Sequence, residues 1–576
     1  MKYVEAYVNH RLNNDEPLLY SIKPKDLYKI KIGQLIEVPF RNRKILAVVI
    51  KFTNRSVNYK VKNIYRIVSG KIYNNIHFEL ANYLSNNYYS PIGKNLFSFY
   101  GDIPKKIVEN NMFNLEDKTY NQKQVEYYFS NDNQRLKFYE DLIIKNKKIV
   151  FAFATLKRAE KFAQLVGYKN NIYSNILNLN DRYDLIHKFT NNDESIIIGT
   201  RQAIFLQSNL AHIIVVDEYN HIGHENNSHP NYRSEKIVKI LSKFGIKIYL
   251  FSTSPTISSI NNKWNYLVDK QPKILFKSYL KSDDLNFYIE SLVEKTNNIL
   301  IYNPIYRSTS IFCNDCNEYV KCKNCWQNVT GIKSNGQLFC KKCQLDLADN
   351  ICNLCNGANL KQIRFGLEDN LNLVKNITND YTEISSYNIG NIDNKNKLVL
   401  ATSKIFDYFN LKFERVVMFN FDFLVSSRNY NFDEKIIAIL SNLKKMAIKE
   451  LIITTKDEEN NFFKLKTQND LKKFYQAILK KRRDYKLQPF YSVINLVAQD
   501  NNPFKLKNDS KIIYQNLNKI NEIICNNFTE NIYNSKTKFW QMFLKIKIKK
   551  GEKETTKKEL KNILYKLPNN WRYKVN

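Results

Sequence analysis

The residues of this chain whose types and spacing most directly indicate chemistry are its cysteines. Eight of the nine lie in one segment, and all eight form pairs with two residues between the members. These pairs are Cys313 and Cys316, Cys322 and Cys325, Cys340 and Cys343, and Cys352 and Cys355. Two intervening residues let both thiolates of a pair reach one ion from a tight turn. Four such pairs supply enough thiolates for two tetrahedral zinc sites.

Disulfides and an iron–sulfur cluster are the alternative uses of these cysteines. Disulfides fit poorly, because the rest of the chain carries only Cys525 and because no secretory signal opens the sequence. Iron–sulfur ligation stays open as a competitor, since thiolates also hold such clusters. The cysteine segment is too short and polar to fold around an apolar core of its own. We therefore expect metal binding to supply its folding free energy.

The charge of the chain indicates a polyanionic partner. Lys and Arg number 89 against 55 Asp and Glu, which gives a formal net charge of +34. An excess of this size repels itself unless a polyanion offsets it, and nucleic acid is the first candidate. A membrane surface is the second, but the sequence has no apolar run long enough to span a bilayer. Without an apolar leader in the first residues, we expect a cytoplasmic protein.

The elements that would position these residues begin with a small β domain. Alternating and β-branched residues predict strands at Tyr3–Val8, 34–39 and 44–52, with a basic turn near residues 41–44. A helix is predicted over 76–88. Residues 102–122 then form a polar connector.

From about residue 123, short apolar runs alternate with helical stretches, which is typical of parallel sheets covered by helices. The predicted strands fall into two sets: 148–154, Ser195–Gly199, 212–216 and Lys247–Ser252, and then 298–302, 397–401, 415–419 and 450–454. The cysteine segment interrupts the second set after its first strand. From about 461 the pattern is again α/β, and it ends in a Lys-rich tail at 545–561.

Two α/β lobes, an Asp-Glu pair after a strand and an eight-cysteine insert together resemble the PriA family of replication restart helicases, also called primosomal protein N′. The supporting motifs occur in the family's order along the chain. They are Val38-Pro-Phe-Arg-Asn-Arg-Lys-Ile-Leu-Ala-Val-Val, Tyr83-Leu-Ser-Asn-Asn-Tyr-Tyr-Ser-Pro-Ile-Gly-Lys, Ile198-Gly-Thr-Arg-Gln-Ala-Ile-Phe and Lys480-Lys-Arg-Arg-Asp-Tyr-Lys-Leu-Gln-Pro-Phe.

The resemblance implies a multidomain α/β protein with two lobes of the RecA-like, P-loop-helicase type. The expected domains are a 3′-DNA-binding-like β domain (1–101), a connector without the family's winged helix (102–122), degenerate helicase lobe 1 (123–264), degenerate helicase lobe 2 (265–310 and 358–460), a zinc-binding insert (311–357) and a C-terminal domain with a basic tail (461–576).

The ATPase motifs depart from the family pattern. A P-loop uses glycines to wrap phosphates, a Lys for the γ-phosphate and a hydroxyl for Mg²⁺. The matching stretch is Asn131-Asp-Asn-Gln-Arg-Leu, which has no glycine, Arg135 in place of the Lys and Leu136 in place of the hydroxyl. The Asp-Glu box reads Asp217-Glu218-Tyr-Asn, and the arginine-finger region, 443–449, contains no arginine. We therefore expect Asp217 and Glu218 to be relics, with no bound ATP or Mg²⁺ and no catalytic residue.

The remaining site residues follow from the resemblance. The family's nested pairing implies one zinc ion on Cys313, Cys316, Cys352 and Cys355, and a second on Cys322, Cys325, Cys340 and Cys343. Its DNA-binding regions imply phosphate contacts from Arg41, Arg43 and Lys44, and DNA contacts from Tyr232 and Arg233 in the loop after Asp217-Glu218. Leu19 stands where the family has an acid that helps to hold a 3′ end, which puts specific reading of that end in doubt.

These observations predict a replication restart protein that binds forked, branched or single-stranded DNA and recruits primosome proteins without hydrolysing ATP. Single-strand-binding protein is a further candidate partner, and the expected location is the cytoplasm, in association with the nucleoid. Two alternatives stay open. One is an active ATP-dependent 3′→5′ DNA helicase of this type, and the other is a zinc-ribbon nucleic-acid-binding protein with no role at forks.

Overall fold

The structure is a computed structural model. It describes residues 3–10, 15–55, 58–100, 115–129, 131–146, 148–174, 176–191, 195–207, 211–226, 228–259, 264–266, 273–277, 290–291, 298–306, 309–323, 328–332, 336–340, 346, 350–364, 366–388, 392, 398–425, 432–455, 457–465, 467–529, 531–534, 538–551 and 553–575.

The N-terminal domain is an antiparallel sheet with two helices. In spatial order its strands are Leu18–Ser21, Tyr3–Val8, Arg43–Thr53, Gln34–Phe40 and Arg66–Lys71. Alternate side chains of the first strand, Val4, Ala6 and Val8, are buried, as the period of a half-buried strand requires. Helices Asn75–Tyr88 and Ile92–Tyr100 follow, and the first ends at Tyr89, whose φ is +55°. Their apolar faces share a core with lobe 1.

Part of the predicted connector is described and lies along this junction. Asp117 forms an ion pair of 2.7 Å with Lys71 of the N-terminal domain. The backbone N–H of Asn121 donates to the carbonyl of Lys243 in lobe 1 at 2.8 Å. Residues 115–122 therefore tie the first domain to the second, while residues 102–114 lie outside the described part of the chain.

Lobe 1 is a parallel sheet with helices on both faces. In spatial order its strands are Trp264–Tyr266, Val125–Phe129, Lys247–Ser252, Ile213–Val216, Lys148–Ala152, Ser195–Gly199 and Ile172–Tyr173. Its helices are Asp132–Lys145, Leu156–Leu165, Leu179–Asn191 and Ser234–Leu241. Every residue of the central strand Ile213–Val216 is buried, because helices cover both faces.

Lobe 2 repeats this layout. Its parallel strands, in spatial order, are Lys273–Lys277, Ala447–Thr454, Phe413–Met418, Ile299–Tyr302, Leu398–Ala401 and Thr382–Ile384. Its helices are Leu367–Ile377, Phe421–Val425, Phe432–Met446 and Gln468–Asp484. The last of these was assigned by sequence to the C-terminal domain, but Tyr475 and Ile478 bury its inner face in the lobe 2 core. The prediction of a multidomain α/β protein with parallel sheets is confirmed.

The cysteine module leaves lobe 2 after strand Ile299–Tyr302 and returns before helix Leu367–Ile377. It contains a three-stranded sheet and a two-stranded ribbon. The sheet joins Glu318–Tyr319, Thr309–Cys313 and Leu360–Arg364, and the ribbon joins Gly331–Ile332 to Leu338–Phe339.

The C-terminal domain differs from the lobes, because its sheet is antiparallel. Its strands are Ile523–Cys525, Phe539–Lys549, Tyr491–Asp500 and Arg572–Val575, with Ile532–Asn534 also paired to the second, and its helices are Pro503–Asn518 and Glu554–Tyr565.

The predicted basic tail at 545–561 is wrong as a description of this segment. The segment supplies the end of a strand that pairs along its whole length and most of a helix that packs beneath it. Leu544, Ile546 and Ile548 are buried, whereas Lys545 and Lys549 on the opposite face are exposed. The lysines of the strand therefore lie on the outer, solvent-exposed face of a folded sheet.

The first and last parts of the chain are joined at Asp15, whose side chain is 5% exposed. Its Oδ2 accepts from Lys561 Nζ at 2.8 Å, from the Tyr565 hydroxyl at 3.1 Å and from the Ser85 hydroxyl at 3.1 Å. A second tie runs from the Tyr573 hydroxyl to the carbonyl of Tyr89 at 2.6 Å.

Among the described helices, none combines the length and the apolar character that crossing a membrane requires.

Candidate functional site

The cleft between the two lobes is filled by a buried network of charged side chains around Asp217. The network starts at Asn131, which caps helix Asp132–Lys145 and accepts a hydrogen bond from the N–H of Gln134 at 2.9 Å. The stretch expected to replace a phosphate loop therefore closes into an ordinary helix start. This start aims Arg135, which is 1% exposed, at the end of strand Ile213–Val216.

Arg135 forms ion pairs with both residues of the Asp-Glu pair. One of its terminal nitrogens lies 2.8 Å from Asp217 Oδ1 and 2.7 Å from Glu218 Oε1. Tyr139, one helical turn later, donates its hydroxyl to the same Asp217 oxygen at 2.8 Å. Both carboxylates that a nucleotide-bound Mg²⁺ would need are thus engaged by the protein itself.

Arg158, from the helix after strand Lys148–Ala152, takes the other Asp217 oxygen. Its Nε lies 2.6 Å from Asp217 Oδ2, and a terminal nitrogen lies 2.7 Å from Asp132 Oδ1. Arg158 is 3% exposed. The network therefore alternates two guanidinium groups with three carboxylates, all within lobe 1.

These contacts keep the carboxylates ionised despite their burial. Burial alone would raise the pKa of Asp217, but Arg158 and Arg135 outweigh it and hold the pKa well below its usual range. Burial also opposes ionisation of Glu218, and Arg135 again prevails, so the pKa of Glu218 is lowered. The pKa of each arginine is raised, because the neighbouring carboxylates outweigh burial.

The same network fastens lobe 1 to lobe 2. Arg158 donates to the carbonyl of Phe406 at 2.9 Å, and its guanidinium lies 3.8 Å from the ring centroid of Phe409. Beside it, the Thr155 hydroxyl donates to Asp407 at 2.6 Å, and the N–H of Asn410 donates to Asp132 at 3.4 Å. All four lobe 2 partners lie between strands Leu398–Ala401 and Phe413–Met418.

A second set of contacts closes the cleft on its other side. The Thr253 hydroxyl contacts Glu218 and lies 3.0 Å from the side-chain oxygen of Asn442 in lobe 2. Further along, the Tyr475 hydroxyl donates to the carbonyl of Pro255 at 2.8 Å. Arg482 and the N–H of Ile257 both contact Glu434, at 3.1 and 3.2 Å. The lobes are therefore joined by charged and polar contacts along the whole cleft.

Little space remains between the lobes at this point. The cavity lined by Asn131, Asp132, Thr253, Asn410 and Asn442 measures about 30 Å³. Sites for drug-sized ligands and cofactors occupy roughly 300–1,000 Å³. The cavity is therefore about a tenth of the volume of the smallest such site.

Sequence reasoning identified Asp217, Glu218 and Arg135 but missed Arg158, Tyr139 and Asp407. Arg158 lies in an amphipathic helix, where an arginine ordinarily occupies the solvent face. A signal was nevertheless present, because Asp132 and Arg135 put opposite charges into the first turn of a helix at the place of a phosphate loop. The predicted arginine-finger region contributes Leu443 and Met446, both buried, to the core of lobe 2.

The first predicted zinc quartet is assembled by the fold. The Sγ atoms of Cys313, Cys316, Cys352 and Cys355 all lie within 4.8 Å of one another. Cys313 and Cys355 are 3.6 Å apart, and Cys316 and Cys352 are 3.9 Å apart. A tetrahedral site with Zn–S bonds of about 2.3 Å places its sulfurs about 3.8 Å apart. The four thiolates therefore fit a zinc ion.

Tight turns shape this quartet. Asn356 adopts a φ of +59°, and its N–H donates to the carbonyl of Cys352 at 2.7 Å. The next N–H, from Gly357, points at Cys355 Sγ at 3.3 Å. A Cβ on Gly357 would lie 2.0 Å from Asp315 Oδ2, so the turn requires glycine at that position. Such N–H donors stabilise a thiolate.

The second predicted quartet is described in part. Cys322 and Cys340 are 2% and 1% exposed and share one small apolar cluster with Val320 and Leu338. Cys325 and Cys343 lie outside the described residues, so this quartet stays a prediction.

The predicted phosphate contacts lie on a hairpin that projects from the N-terminal domain. Arg41 and Asn42 join two paired strands and have φ values of +44° and +61°, the signature of a two-residue hairpin turn. Arg41, Arg43 and Lys44, which we call the hairpin cations, are all exposed. Leu19, at the position of the missing acid, lies on strand Leu18–Ser21 beside Glu5.

Tyr232, which the sequence predicts to stack on DNA bases, is buried, and in this conformation its ring is not exposed for stacking. Tyr232 is 7% exposed and packs edge-on against Phe205, with ring centroids 5.2 Å apart. Arg233 pairs with Glu225 at 2.9 Å. His224 in the same loop is also buried and contacts the carbonyl of Asp217 through Nε2 at 2.7 Å. This loop is therefore a support for the Asp-Glu pair.

Comparison with known proteins finds one family to which this chain is similar. A family of PriA domains described as 3′DNA-binding domain (3′BD) matches residues 7–100. The replication restart protein PriA of Buchnera aphidicola is 23% identical over 606 residues, covering 80% of this chain and 83% of that protein. The PriA of Helicobacter pylori strain J99 is 24% identical over 382 residues, covering 60% of this chain and 59% of that protein.

A solved structure of yeast Dbp5 bound to Gle1 and IP6 has 10% identity and a TM-score of 0.33, and covers 62% of this chain and 88% of that one. A TM-score this low does not establish a shared fold. The sequence relatives and the matched domain confirm the resemblance to the PriA replication restart proteins.

Proposed function

Because this chain resembles the PriA replication restart proteins, we propose that it is a replication restart protein that binds forked or branched DNA and does not hydrolyse ATP. The matched 3′DNA-binding domain supports DNA binding as a property of the family. The net charge of +34 and the exposed hairpin cations support a contact with the phosphate backbone.

The observation that carries the absence of hydrolysis is the arginine–carboxylate network. A nucleotide-bound Mg²⁺ would need Asp217 or Glu218 as a ligand, directly or through water. Both are already paired with Arg135 at 2.7–2.8 Å, and Asp217 is buried with it while the Glu218 side chain is 13% exposed. Breaking a buried pair costs several kcal/mol, since it leaves charges without partners in a poorly solvated place.

Asp132 adds an obstacle of its own. It lies at the helix start where the triphosphate would have to sit, and its carboxylate would repel the phosphates. Only about 30 Å³ is left there. Nucleotide binding would therefore require the lobes to separate and the network to dissolve together.

The two lobes then act as a scaffold. Contacts of Arg158, Thr155, Tyr475 and Glu434 hold them together. A fixed lobe pair gives the N-terminal domain, the cysteine module and the C-terminal domain defined positions around one DNA substrate. We propose that this arrangement recruits primosome proteins, with single-strand-binding protein as a further partner, in the cytoplasm in association with the nucleoid.

The cysteine module is proposed to hold two zinc ions. The first quartet has the sulfur spacing of a tetrahedral site. The second rests on the spacing of its cysteines in the sequence. Bound zinc would supply folding free energy to a module whose apolar cluster is small.

The test is an ATPase assay on the full chain with and without forked DNA, run beside the Asp217→Asn variant. We expect phosphate release at the no-enzyme background for both proteins while the wild type binds the fork. ATP turnover that forked DNA stimulates and that Asp217→Asn abolishes would instead show that the protein is an active helicase. Forked and linear duplexes are compared by fluorescence anisotropy in the same buffers. Equal affinity for the two would instead favour a nucleic-acid-binding protein with no fork role.

A further inference from the structure

A cavity of about 190 Å³ lies where the four main domains converge. Its wall combines Tyr88 of the N-terminal domain, Arg233 and Lys236 of lobe 1, and Arg482 of the lobe 2 helix. Lys550 and Lys574 of the C-terminal domain complete it. Of these residues, Arg482 also contacts Glu434 at the far side of the lobe cleft, and none of them contacts Asp217 or belongs to the hairpin cations.

The wall of this four-domain cavity is positively charged. Five cations and three carboxylates line it. Each carboxylate already has a cation of its own: Glu225 pairs with Arg233 at 2.9 Å, Glu434 with Arg482 at 3.1 Å and Glu235 with Lys239 at 2.7 Å. Among the described residues, no carboxylate forms an ion pair with Lys236, Lys550 or Lys574, which we call the cavity lysines.

The excess of positive charge lowers the pKa of two of the cavity lysines. Glu235 raises the pKa of Lys236, but burial, Lys239 and Arg233 together bring it below its ordinary value. Burial lowers the pKa of Lys550, and the charge of Lys236 lowers it further. The ammonium groups are therefore close enough to repel each other, and an anion between them would relieve that repulsion.

Arg233 adds a donor that the protein leaves unused. Its Nε is buried and has no hydrogen-bond partner among the described residues, although a terminal nitrogen of the same guanidinium pairs with Glu225. Buried donors are ordinarily satisfied by protein, water or a ligand. A guanidinium beside ammonium groups forms a set of donors that binds phosphate oxygens.

The volume of the cavity limits the size of the anion that it can hold. At about 190 Å³ it is below the roughly 300 Å³ at which small-molecule sites begin, so a whole nucleotide does not fit. A single phosphate group does. Because Lys550 and Lys574 are exposed at the rim, the phosphate can remain part of a chain that continues outside.

We propose that the four-domain cavity binds a phosphodiester group of the DNA backbone, held by the cavity lysines and Arg233. The inference rests on the proposed DNA binding and adds a position for the strand, between lobe 1 and the C-terminal domain. Such a contact fixes orientation and register on the DNA without reading its bases.

The test compares fork binding by two variants that lose the same charge. In the first, the cavity lysines are changed by Lys236→Gln, Lys550→Gln and Lys574→Gln. The matched control carries Lys188→Gln, Lys375→Gln and Lys511→Gln, at exposed positions on three helices outside the cavity. Affinity is measured by anisotropy over a series of salt concentrations. Each phosphate contact contributes about 0.7–0.9 to the slope of log affinity against log salt.

We expect the slope to become shallower by about 0.7–0.9 for the cavity variant, the contribution of one phosphate, and to stay at the wild-type value for the control. Equal changes in both variants would overturn the inference while leaving fork binding intact. Failure of the wild type to bind the fork would overturn the proposed function itself, so the two failures are distinguishable.

Two further measurements guard against misfolding and against a different ligand. Lysine acylation mapped by mass spectrometry on the wild-type protein should show protection of the cavity lysines by the fork, with no protection of the control lysines. Thermal unfolding is compared in inorganic phosphate and in chloride at equal ionic strength. If phosphate stabilises the wild type over the cavity variant while the salt slopes agree, the site takes a free phosphate, and the DNA assignment is wrong.

Discussion

Replacing Arg135 by Leu should destabilise the lobe pair by about 3 kcal/mol. The side chain is 1% exposed, and its loss leaves Glu218 without a cation while Asp217 keeps Arg158 and Tyr139. Removing one partner of a buried ion pair typically costs about 3–5 kcal/mol. The lower end applies here, because the Glu218 side chain is 13% exposed and can recruit water or a proton.

The measurement is hydrogen exchange of peptides that cover helix Asp132–Lys145. Local exchange suits a multidomain chain, whose global unfolding need not be two-state. A loss of about 3 kcal/mol corresponds to roughly 160-fold faster exchange, at 1.36 kcal/mol per factor of ten. Adding Glu218→Gln to Arg135→Leu should recover part of the protection, since the amide needs no counter-charge.

The matched control is Arg66→Leu. Arg66 pairs with Glu37 at 3.2 Å, but its side chain is 67% exposed, so the loss should stay within about 1 kcal/mol. Exchange in helix Asp132–Lys145 should not change in this variant. An effect of Arg135→Leu below about 1 kcal/mol would refute the reasoning. It would mean that the cleft is solvated and that Glu218 does not depend on Arg135 for its charge.

Three further outcomes follow from the same geometry. Cys313→Ser should lower the zinc content, measured by inductively coupled plasma mass spectrometry, by one ion per chain, whereas Cys525→Ser should leave it unchanged. Neutralising the three hairpin cations should weaken binding to forks of different sequence by a similar factor in anisotropy titrations; a change in base preference would contradict a phosphate contact. The lowered pKa values of Asp217 and Glu218 stabilise the lobe pair above their ordinary values near pH 4, and this stabilisation is lost as pH falls through the folded values. Exchange of the cleft peptides should therefore be steady from about pH 8 to pH 5 after correction for intrinsic rates, and should accelerate below about pH 4.

The strands of both lobes were predictable because helices cover each sheet on both faces. Strands Ser195–Gly199 and Lys247–Ser252 have the bounds that their apolar runs predict, and most of the others differ by one to three residues. A parallel strand buried on both faces reads as a continuous apolar run. The N-terminal strand Tyr3–Val8 was equally clear from its alternation.

The C-terminal domain was harder to predict. Strand Phe539–Lys549 alternates apolar residues with lysines toward its end. The lysines of the outer face made the segment look like a basic tail, although the buried residues of the inner face recur with the two-residue period of a strand. Helix Gln468–Asp484 was assigned to the wrong neighbour, because periodicity shows that a helix has an apolar face but not which core it joins.

The site was predictable only where its residues are near one another in sequence. The spacing of the cysteine pairs predicts a metal site directly. The loss of the phosphate loop is visible in the stretch from Asn131 to Leu136. The pairing of Arg158 with Asp217 joins positions 59 residues apart and depends on which strands are neighbours. The burial of Tyr232 could not be predicted for a related reason, since an aromatic residue in a polar loop gives no local sign that the loop folds inward.

The contacts of Asp15 join residues that lie 550 positions apart, and this has a consequence for synthesis of the chain. At a translation rate of about 5–20 residues per second, about half a minute to two minutes separates Asp15 from its partners Lys561 and Tyr565. Through that interval the carboxylate has no cation from the C-terminal domain. The surface around Tyr89 on the N-terminal domain also lacks its cover. A chain truncated before these residues would therefore leave this docking face of the first domain exposed to solvent.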